Sequence, residues 1–262
     1  MDVTVKFGDI WQIGKHKLLC GDASEKVMVD ELMDGKSPVL MVTDPPYGVN
    51  YTTFSRKKAN RELNDNDKKK SLEEIKIRND HRASWSKVFL LSNAQIAYVW
   101  HPSSVPDVCM QALRDGMYQV RQSIIWAKNR PALSRSAYHW QHESCLYAVR
   151  LGETANWKGD RKQRTLWNEP TPEPKDRIHP TQKPVGLYIR PINNHTDPDD
   201  LVYDPFSGSG VVFSACQETG RTGLGVEIEP AYCQKIIKKW QEKRPEDEVV
   251  KLKNLFDELE KK

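Results

Sequence analysis

The stretch "LVYDPFSGSGVVFSACQETGRTGLGVEI" (201–228) leaves a chain few choices of architecture. An apolar run ends at an acid and a proline. Two glycines follow, a helical pattern runs to the next glycine, and a second apolar run closes on an acid. Length and β-branched content mark the apolar runs as strands. Strands that alternate with helices in this way build a mostly parallel sheet covered on both faces. The same punctuation recurs upstream, with strands expected at 16–20, 38–42, 95–100, 123–127 and 144–149. Helices are expected over "SSVPDVCMQALRDG" (103–116) and "PAYCQKIIKKWQEK" (230–243), each opened by a cap or proline signal. The tail places Val249, Leu252, Leu255, Phe256 and Leu259 on one helical face, so a closing helix is expected there.

Two segments break the pattern. Residues 50–80 are polar, basic and turn-rich and read as an inserted loop; residues 150–183 are proline-rich and read as an irregular excursion. Charge follows the same division. Residues 51–90 and 128–183 each hold eleven Lys/Arg against six Asp/Glu, a net +5 apiece, whereas the rest of the chain nets −6. Two basic segments on an acidic body point to a polyanionic partner, although a charge run taken alone is more often a solvated surface. No run of 18 apolar residues exists, the opening "MDVTVKFGDIW" lacks the layout of a signal peptide, and the five cysteines show no zinc spacing. A cytoplasmic protein with free thiols, no membrane partner and no metal is the expectation.

Ligands of open α/β sheets sit beyond the carboxyl ends of strands, where the winding direction reverses. Two acid-proline turns occur at such ends. In "DPFSGSG" (204–210), Gly208 and Gly210 let backbone approach a ligand closely. The turn is neither GxGxxG nor a Walker loop, and Asp204 beside it disfavours phosphate and favours a cationic or hydroxyl-bearing ligand. Glu227, about 20 residues beyond the glycines, is placed to accept hydrogen bonds from a ribose and is preferred to Glu229 because it lies nearer the strand end.

In "DPPY", Asp44-Pro45-Pro46-Tyr47 is a stiff turn with free carbonyls. Asp44 and the Pro45 carbonyl can each accept one N–H of an exocyclic amine on a heterocycle, and Tyr47 can stack on its ring. Drawing that amine toward tetrahedral geometry localises its lone pair, and the benefit grows as positive charge develops. The plainer reading of a lone DPPY is a rigid turn with an exposed tyrosine.

"DPPY", "HPTQKP" (179–184), "DPFSGSG" and "GVEIEPAYC", in that order, resemble the amino-methyltransferases of DNA, specifically their circularly permuted β group. "IIWAKN" and "HESCLYAVR" extend the likeness, which covers most of the chain and is similar to phage and prophage adenine methylases. The resemblance implies a Rossmann-like methyltransferase fold: a mostly parallel seven-stranded sheet with one antiparallel strand and helices on both faces. It implies S-adenosylmethionine as cofactor. Phe206, Ser207, Gly208 and Gly210 would wrap its methionine portion beside Asp204, Glu227 would hold the ribose, Asp22 would meet the adenine, and Lys183 would be a candidate partner for its carboxylate. Asn79-Asp80 match a family pair of unassigned role, and His179 reads as a packing residue.

The partner implied is double-stranded DNA with a flipped target base, and a homodimer is the expected assembly, since β-group relatives often pair. The whole of 1–262 would be a single catalytic domain. Residues 50–80 would contact DNA through Lys57, Lys58, Lys68, Lys69 and Lys70, and a short target-recognition region, 128–178, through Lys128, Arg130 and Arg135. Trp140, Trp157 and Trp167 in that region read as packing anchors. No Pro-Cys pair exists for cytosine C5 chemistry. That leaves adenine N6, which an initial aspartate favours within the family, or cytosine N4. A catalytically silent DNA-binding regulator is the reading from another class.

Overall fold

In a computed structural model that describes residues 3–46, 84–132, 137–171 and 183–257, the strand–helix alternation becomes one sheet with helices on both faces. In chain order the elements are β1 (Asp9–Ile13), β2 (His16–Cys20), α1 (Lys26–Met33), β3 (Leu40–Thr43), α2 (Ser86–Ser92), β4 (Ile96–His101), α3 (Pro106–Asp115), β5 (Tyr118–Ala132), β6 (Trp140–Arg150), β7 (Leu166–Asn168), α4 (Gly186–His195), β8 (Leu201–Asp204), α5 (Val211–Thr219), β9 (Thr222–Glu227), α6 (Pro230–Lys243) and β10 (Val249–Asn254). All belong to a unit formed by Met1–Pro45 and Trp85–Lys262; of the other unit, Pro46–Ser84, only the two end residues are described.

Among the described residues the sheet has ten strands in the order β10-β1-β2-β9-β8-β3-β4-β6-β5-β7. The seven strands expected from sequence are nested within it: β2, β9, β8, β3 and β4 run parallel, β6 is antiparallel to both its neighbours, and β5 follows. The three additional strands lie at the margins. β1 pairs antiparallel with β2 and with β10, and β7 pairs parallel with β5.

The tail corrects the sequence expectation, because residues 249–254 are strand and not helix. The open edge of β1 offered unpaired backbone groups, and the paired Val249 and Val250 suit a strand. Asp9, fully buried on β1, fastens the new edge. It accepts hydrogen bonds from Asn254 Nδ2 at 2.7 Å and the Lys6 N–H at 2.8 Å, and Lys251 Nζ lies 2.7 Å from it. Burial would raise the Asp9 pKa, but these donors together hold it below the usual value.

Alternate residues of the central strands feed two cores. On β4, Ile96, Tyr98 and Trp100 join Leu187 and Ile192 of α4, Val212 of α5 and Ile237 of α6. Ala97 and Val99 face the opposite way, toward Leu32 of α1, Phe89 of α2 and Leu113 of α3. The excursion at 150–183 contains β7, whose Trp167 is buried as an anchor; Trp140 and Trp157 are half-exposed and not packed into the core.

Candidate active site

β3 leads rightward in the sheet to β4, whereas β8 leads leftward to β9, so the switch point falls between β3 and β8. Both acid-proline turns leave the sheet there. Thr43 Oγ1, at the end of β3, donates a 2.7 Å hydrogen bond to Asp204 Oδ1, at the end of β8. Asp204 Oδ1 also accepts the Phe206 N–H at 3.1 Å, and Tyr188 Oη donates to Oδ2 at 3.3 Å. The carboxyl is 1% exposed. Burial pushes its pKa up to about 7 against the pull of these donors. Asp204, read from sequence as a cofactor contact, is therefore turned inward and ties the two turns together.

The glycine turn is built on that clamp. The Ser207 N–H donates to the Val226 carbonyl at 2.8 Å, and Ser207 Oγ donates to the Asp204 carbonyl at 3.0 Å. Gly208 and Gly210 have φ of +50° and +73°, the left-handed region open to glycine, and Gly210 leads directly into α5. Gly225 on β9 lies beneath: a Cβ there would collide with Ser207 Oγ and the Phe213 ring. The ring of Phe206 meets that of Trp85 edge-on, with centroids 4.7 Å apart.

Glu227 closes this crevice from the end of β9. Its Oε2 accepts the Gly208 N–H at 2.9 Å and its Oε1 the Glu229 N–H at 2.8 Å. Burial dominates and raises its pKa to about 7, with the two N–H groups pulling the other way. β2 pairs with β9 so that Cys20 sits opposite Glu227, which brings Asp22 to the neighbouring strand end. Asp22 Oδ1 accepts the Ser24 N–H at 2.8 Å in a tight turn. The cradle thus combines close backbone, two carboxylates at the ends of adjacent strands and an aromatic wall, which suits a ligand carrying a ribose and a cationic centre.

Asp44 follows Thr43 out of β3. Its Oδ2 pairs with the ammonium of Lys183, which also lies 2.9 Å from Glu143 Oε2. Lys183, read as a partner for a cofactor carboxylate, is thus held by two carboxylates of the protein. Glu143 on β6 pairs in turn with Lys128 on β5. Lys128, read as a DNA contact, is mostly covered and lies 5.1 Å from the centroid of the Trp126 ring; Arg130 is exposed. Tyr47, Lys57, Lys58, Lys68, Lys69, Lys70, Asn79, Asp80, Arg135 and His179 lie outside the described residues. Sequence reasoning passed over Thr43, Tyr188, Gly225 and Glu143. Glu143 had one signal, as the lone acid between residues 128 and 152.

Among the described residues no group of three or more His, Cys, Asp or Glu side chains could hold a metal ion, and no helix is long and apolar enough to cross a membrane. Residues 39–239 match a family model described as DNA methylase, which covers the N6 and N4 enzymes. The chain belongs to this DNA methylase family.

Similar proteins include the Type II methyltransferase M2.MboI of Moraxella bovis, 29% identical over 149 residues that make up 52% of this chain and 55% of that protein. The Type II methyltransferase M.XycI of Xanthomonas campestris pv. cyanopsidis is 36% identical over 142 residues, 46% of this chain and 44% of that one. The chain spans about half the length of these curated relatives. Among solved structures, the M1.HpyAVI–SAM complex matches with a TM-score of 0.60 and 23% identity, over 85% of this chain and 98% of that one. PvuII DNA methyltransferase, described as cytosine-N4-specific, matches with a TM-score of 0.58 and 14% identity, over 93% and 98%. At such identities the structural likeness concerns the fold alone.

Proposed function

We propose that this chain is a DNA amino-methyltransferase that uses S-adenosylmethionine and acts on the N6 amine of adenine. The observation that carries the reading is the Thr43–Asp204 hydrogen bond, which sets the Asp44-Pro45 turn beside the glycine turn at one switch point. A methyl acceptor and a methyl donor need that adjacency, because the reacting atoms must meet in line at contact distance.

The cradle fits the cofactor by its chemistry. Glu227 would accept the ribose hydroxyls, Asp22 would meet the adenine amine, and Ser207, Gly208 and Gly210 would bring backbone against the methionine portion, with Phe206 alongside. When bound, S-adenosylmethionine supplies an electrophilic methyl group on a sulfonium. Asp44 and the Pro45 carbonyl would accept the two N–H groups of the target amine and localise its lone pair, and their attraction rises as the nitrogen becomes cationic. Tyr47 is the residue that the sequence offers for stacking on the flipped ring.

The motif order, with the DPPY turn before the glycine turn, supports the permuted β group, and the likeness of these motifs to phage and prophage adenine methylases supports a role in restriction–modification or phage modification. Residues 1–262 would act as one catalytic domain, as a homodimer in the cytoplasm, on double-stranded DNA. The 50–80 and 128–178 segments would face the duplex, and with Lys128 engaged by Glu143, Arg130 and Arg135 would carry the phosphate contacts of the second segment.

Mass spectrometry of nucleosides digested from duplex DNA incubated with the protein and S-adenosylmethionine tests this. N6-methyladenine is expected. Mainly N4-methylcytosine would replace the base assignment and leave the cofactor and Asp44 roles standing. DNA binding with no methylated nucleoside would favour a silent regulator on the same scaffold.

A further inference from the structure

Four side chains of alternating charge run from the outer strands to the catalytic turn. Lys128 on β5 pairs with Glu143 on β6, Glu143 with Lys183 before α4, and Lys183 with Asp44 after β3. The Lys183 side chain is 4% exposed, and its ammonium lies 5.2 Å from the centroid of the Trp100 ring. A buried ammonium persists only where carboxylates and ring faces replace its water. Burial alone would lower the Lys183 pKa, but Asp44 and Glu143 raise it above the usual lysine value. Burial would likewise raise Glu143, yet Lys183 and Lys128 bring it down to about 2. Lys183 and Glu143 are thus both charged at neutral pH in their pairing.

We propose that Lys183 and Glu143 are positioning residues for methyl transfer: Lys183 holds the Asp44 carboxylate in place for the target amine, and Glu143, anchored by Lys128, shares that ammonium so that it does not neutralise Asp44. The inference rests on the reading of Asp44 as the amine acceptor. When bound, S-adenosylmethionine would supply the methyl group and keep the C–S bonding electrons on sulfur, while the amine lone pair would form the new N–C bond. The amine then sheds one N–H proton to Asp44 and on to water. A carboxylate aimed at the amine aids both events, and one whose charge is fully matched by an ammonium aids them less.

The opposing requirements make a specific expectation. Without the ammonium, Asp44 and Glu143, both partly exposed, would be left as like charges around one vacated site, which disfavours having both ionised. Uptake of a proton by this pair would then be favoured relative to wild type. Among the described residues, the groups that face this cluster include Lys128 from β5, Glu143 and Cys145 from β6, Tyr188 from α4 and Asp204 from β8. Lys128 is a second cation among them, and its pair is Glu143.

The experiment measures kcat, KM for S-adenosylmethionine and Tm for wild type, Lys183→Met, Lys183→Arg, Glu143→Gln and the Lys183→Met/Glu143→Gln double variant across pH. Lys183→Met is expected to lower kcat about tenfold or more at neutral pH with KM nearly unchanged, and to recover as pH rises. Lys183→Arg should retain most activity. Adding Glu143→Gln to Lys183→Met should raise kcat and flatten the pH profile, because the competition for the proton is removed. Glu143→Gln alone should lower kcat, and this variant carries the test if Lys183→Met does not fold.

A Lys183→Met protein with raised KM and unchanged kcat would assign the lysine to the cofactor and overturn the proposal. So would a double variant slower than Lys183→Met, or a Glu143→Gln protein with wild-type kcat. A wild type that transfers no methyl group to DNA would instead sink the functional reading, and this inference with it.

Discussion

Thr43 and Asp204, 161 residues apart in sequence, share a 2.7 Å hydrogen bond that locks the ends of β3 and β8 together. The bond is buried, and Asp204 has two further donors, so its geometry is over-determined. Thr43→Val keeps the shape and removes the donor. It is expected to cost about 1–3 kcal/mol, the usual penalty for leaving a buried acceptor short of a partner. Thr43→Ser should cost less. Urea denaturation measures the stability and a methyl-transfer assay the effect on the two turns; a Thr43→Val protein equal to wild type in both would remove the clamp from the argument.

The parts of this site that sequence disclosed are those set by local chemistry. β8, α5 and α6 have the bounds or near-bounds that Gly, Pro and apolar runs mark out, because a strand ending in Asp-Pro and a helix ending at Gly220 are punctuated within a few residues. What sequence hid are consequences of neighbours far along the chain. Asp204 looks like any acid beside a glycine turn until β3 supplies Thr43 and α4 supplies Tyr188. Lys183 lies 139 residues from Asp44, and no periodicity relates them. The strand at 249–254 was hidden for the same reason: its apolar residues fit a helix face, but the exposed edge of β1 decided the outcome.

Gly225 shows how closely β9 supports the cofactor turn. A methyl group there would press on Ser207 Oγ and on Phe213, both buried. Gly225→Ala is expected to destabilise the fold by about 1–3 kcal/mol, as overpacking usually does. It should also weaken S-adenosylmethionine binding, because Ser207 cannot retreat without moving Gly208. Calorimetric titration alongside denaturation checks this. Wild-type affinity in a destabilised variant would confine the effect to packing.

Glu227 gives a pH signature. In the unfolded chain its carboxyl ionises near the ordinary glutamate value of 4.5, whereas in the fold burial holds the proton until about 7. The folded state therefore binds more protons between those values, and the contribution of Glu227 to stability falls as pH rises through the window. His16 and His195 act in the opposite sense. Burial lowers both to about 4 from 6.5, so the unfolded state binds their protons first as pH falls. The wild-type profile mixes these effects, but the difference between wild type and Glu227→Gln isolates one. Wild type should lose stability relative to the variant as pH rises from about 4.5 to about 7. Parallel Tm profiles for the two proteins would show that Glu227 ionises normally in the fold.

Asp44 and Glu227 stand at the ends of different strands, and their substitutions should separate the two halves of the reaction. Asp44→Ala removes the acceptor of the target amine and its ion pair with Lys183. Methyl transfer should fall by at least about 100-fold, the usual cost of one preorganised charge-stabilising group. S-adenosylmethionine binding should stay within about twofold of wild type, well under the tenfold that 1.4 kcal/mol represents. Glu227→Ala should do the reverse at limiting cofactor. It takes an acceptor from the ribose and also frees the Gly208 and Glu229 N–H groups, so cofactor affinity should drop by about tenfold or more, with kcat recovering at saturation. Titration calorimetry with S-adenosylmethionine and a tritiated-methyl assay on duplex DNA read the two quantities independently. An Asp44→Ala protein that is folded but has lost its cofactor site would place Asp44 in the cradle, and would move the amine-binding turn elsewhere.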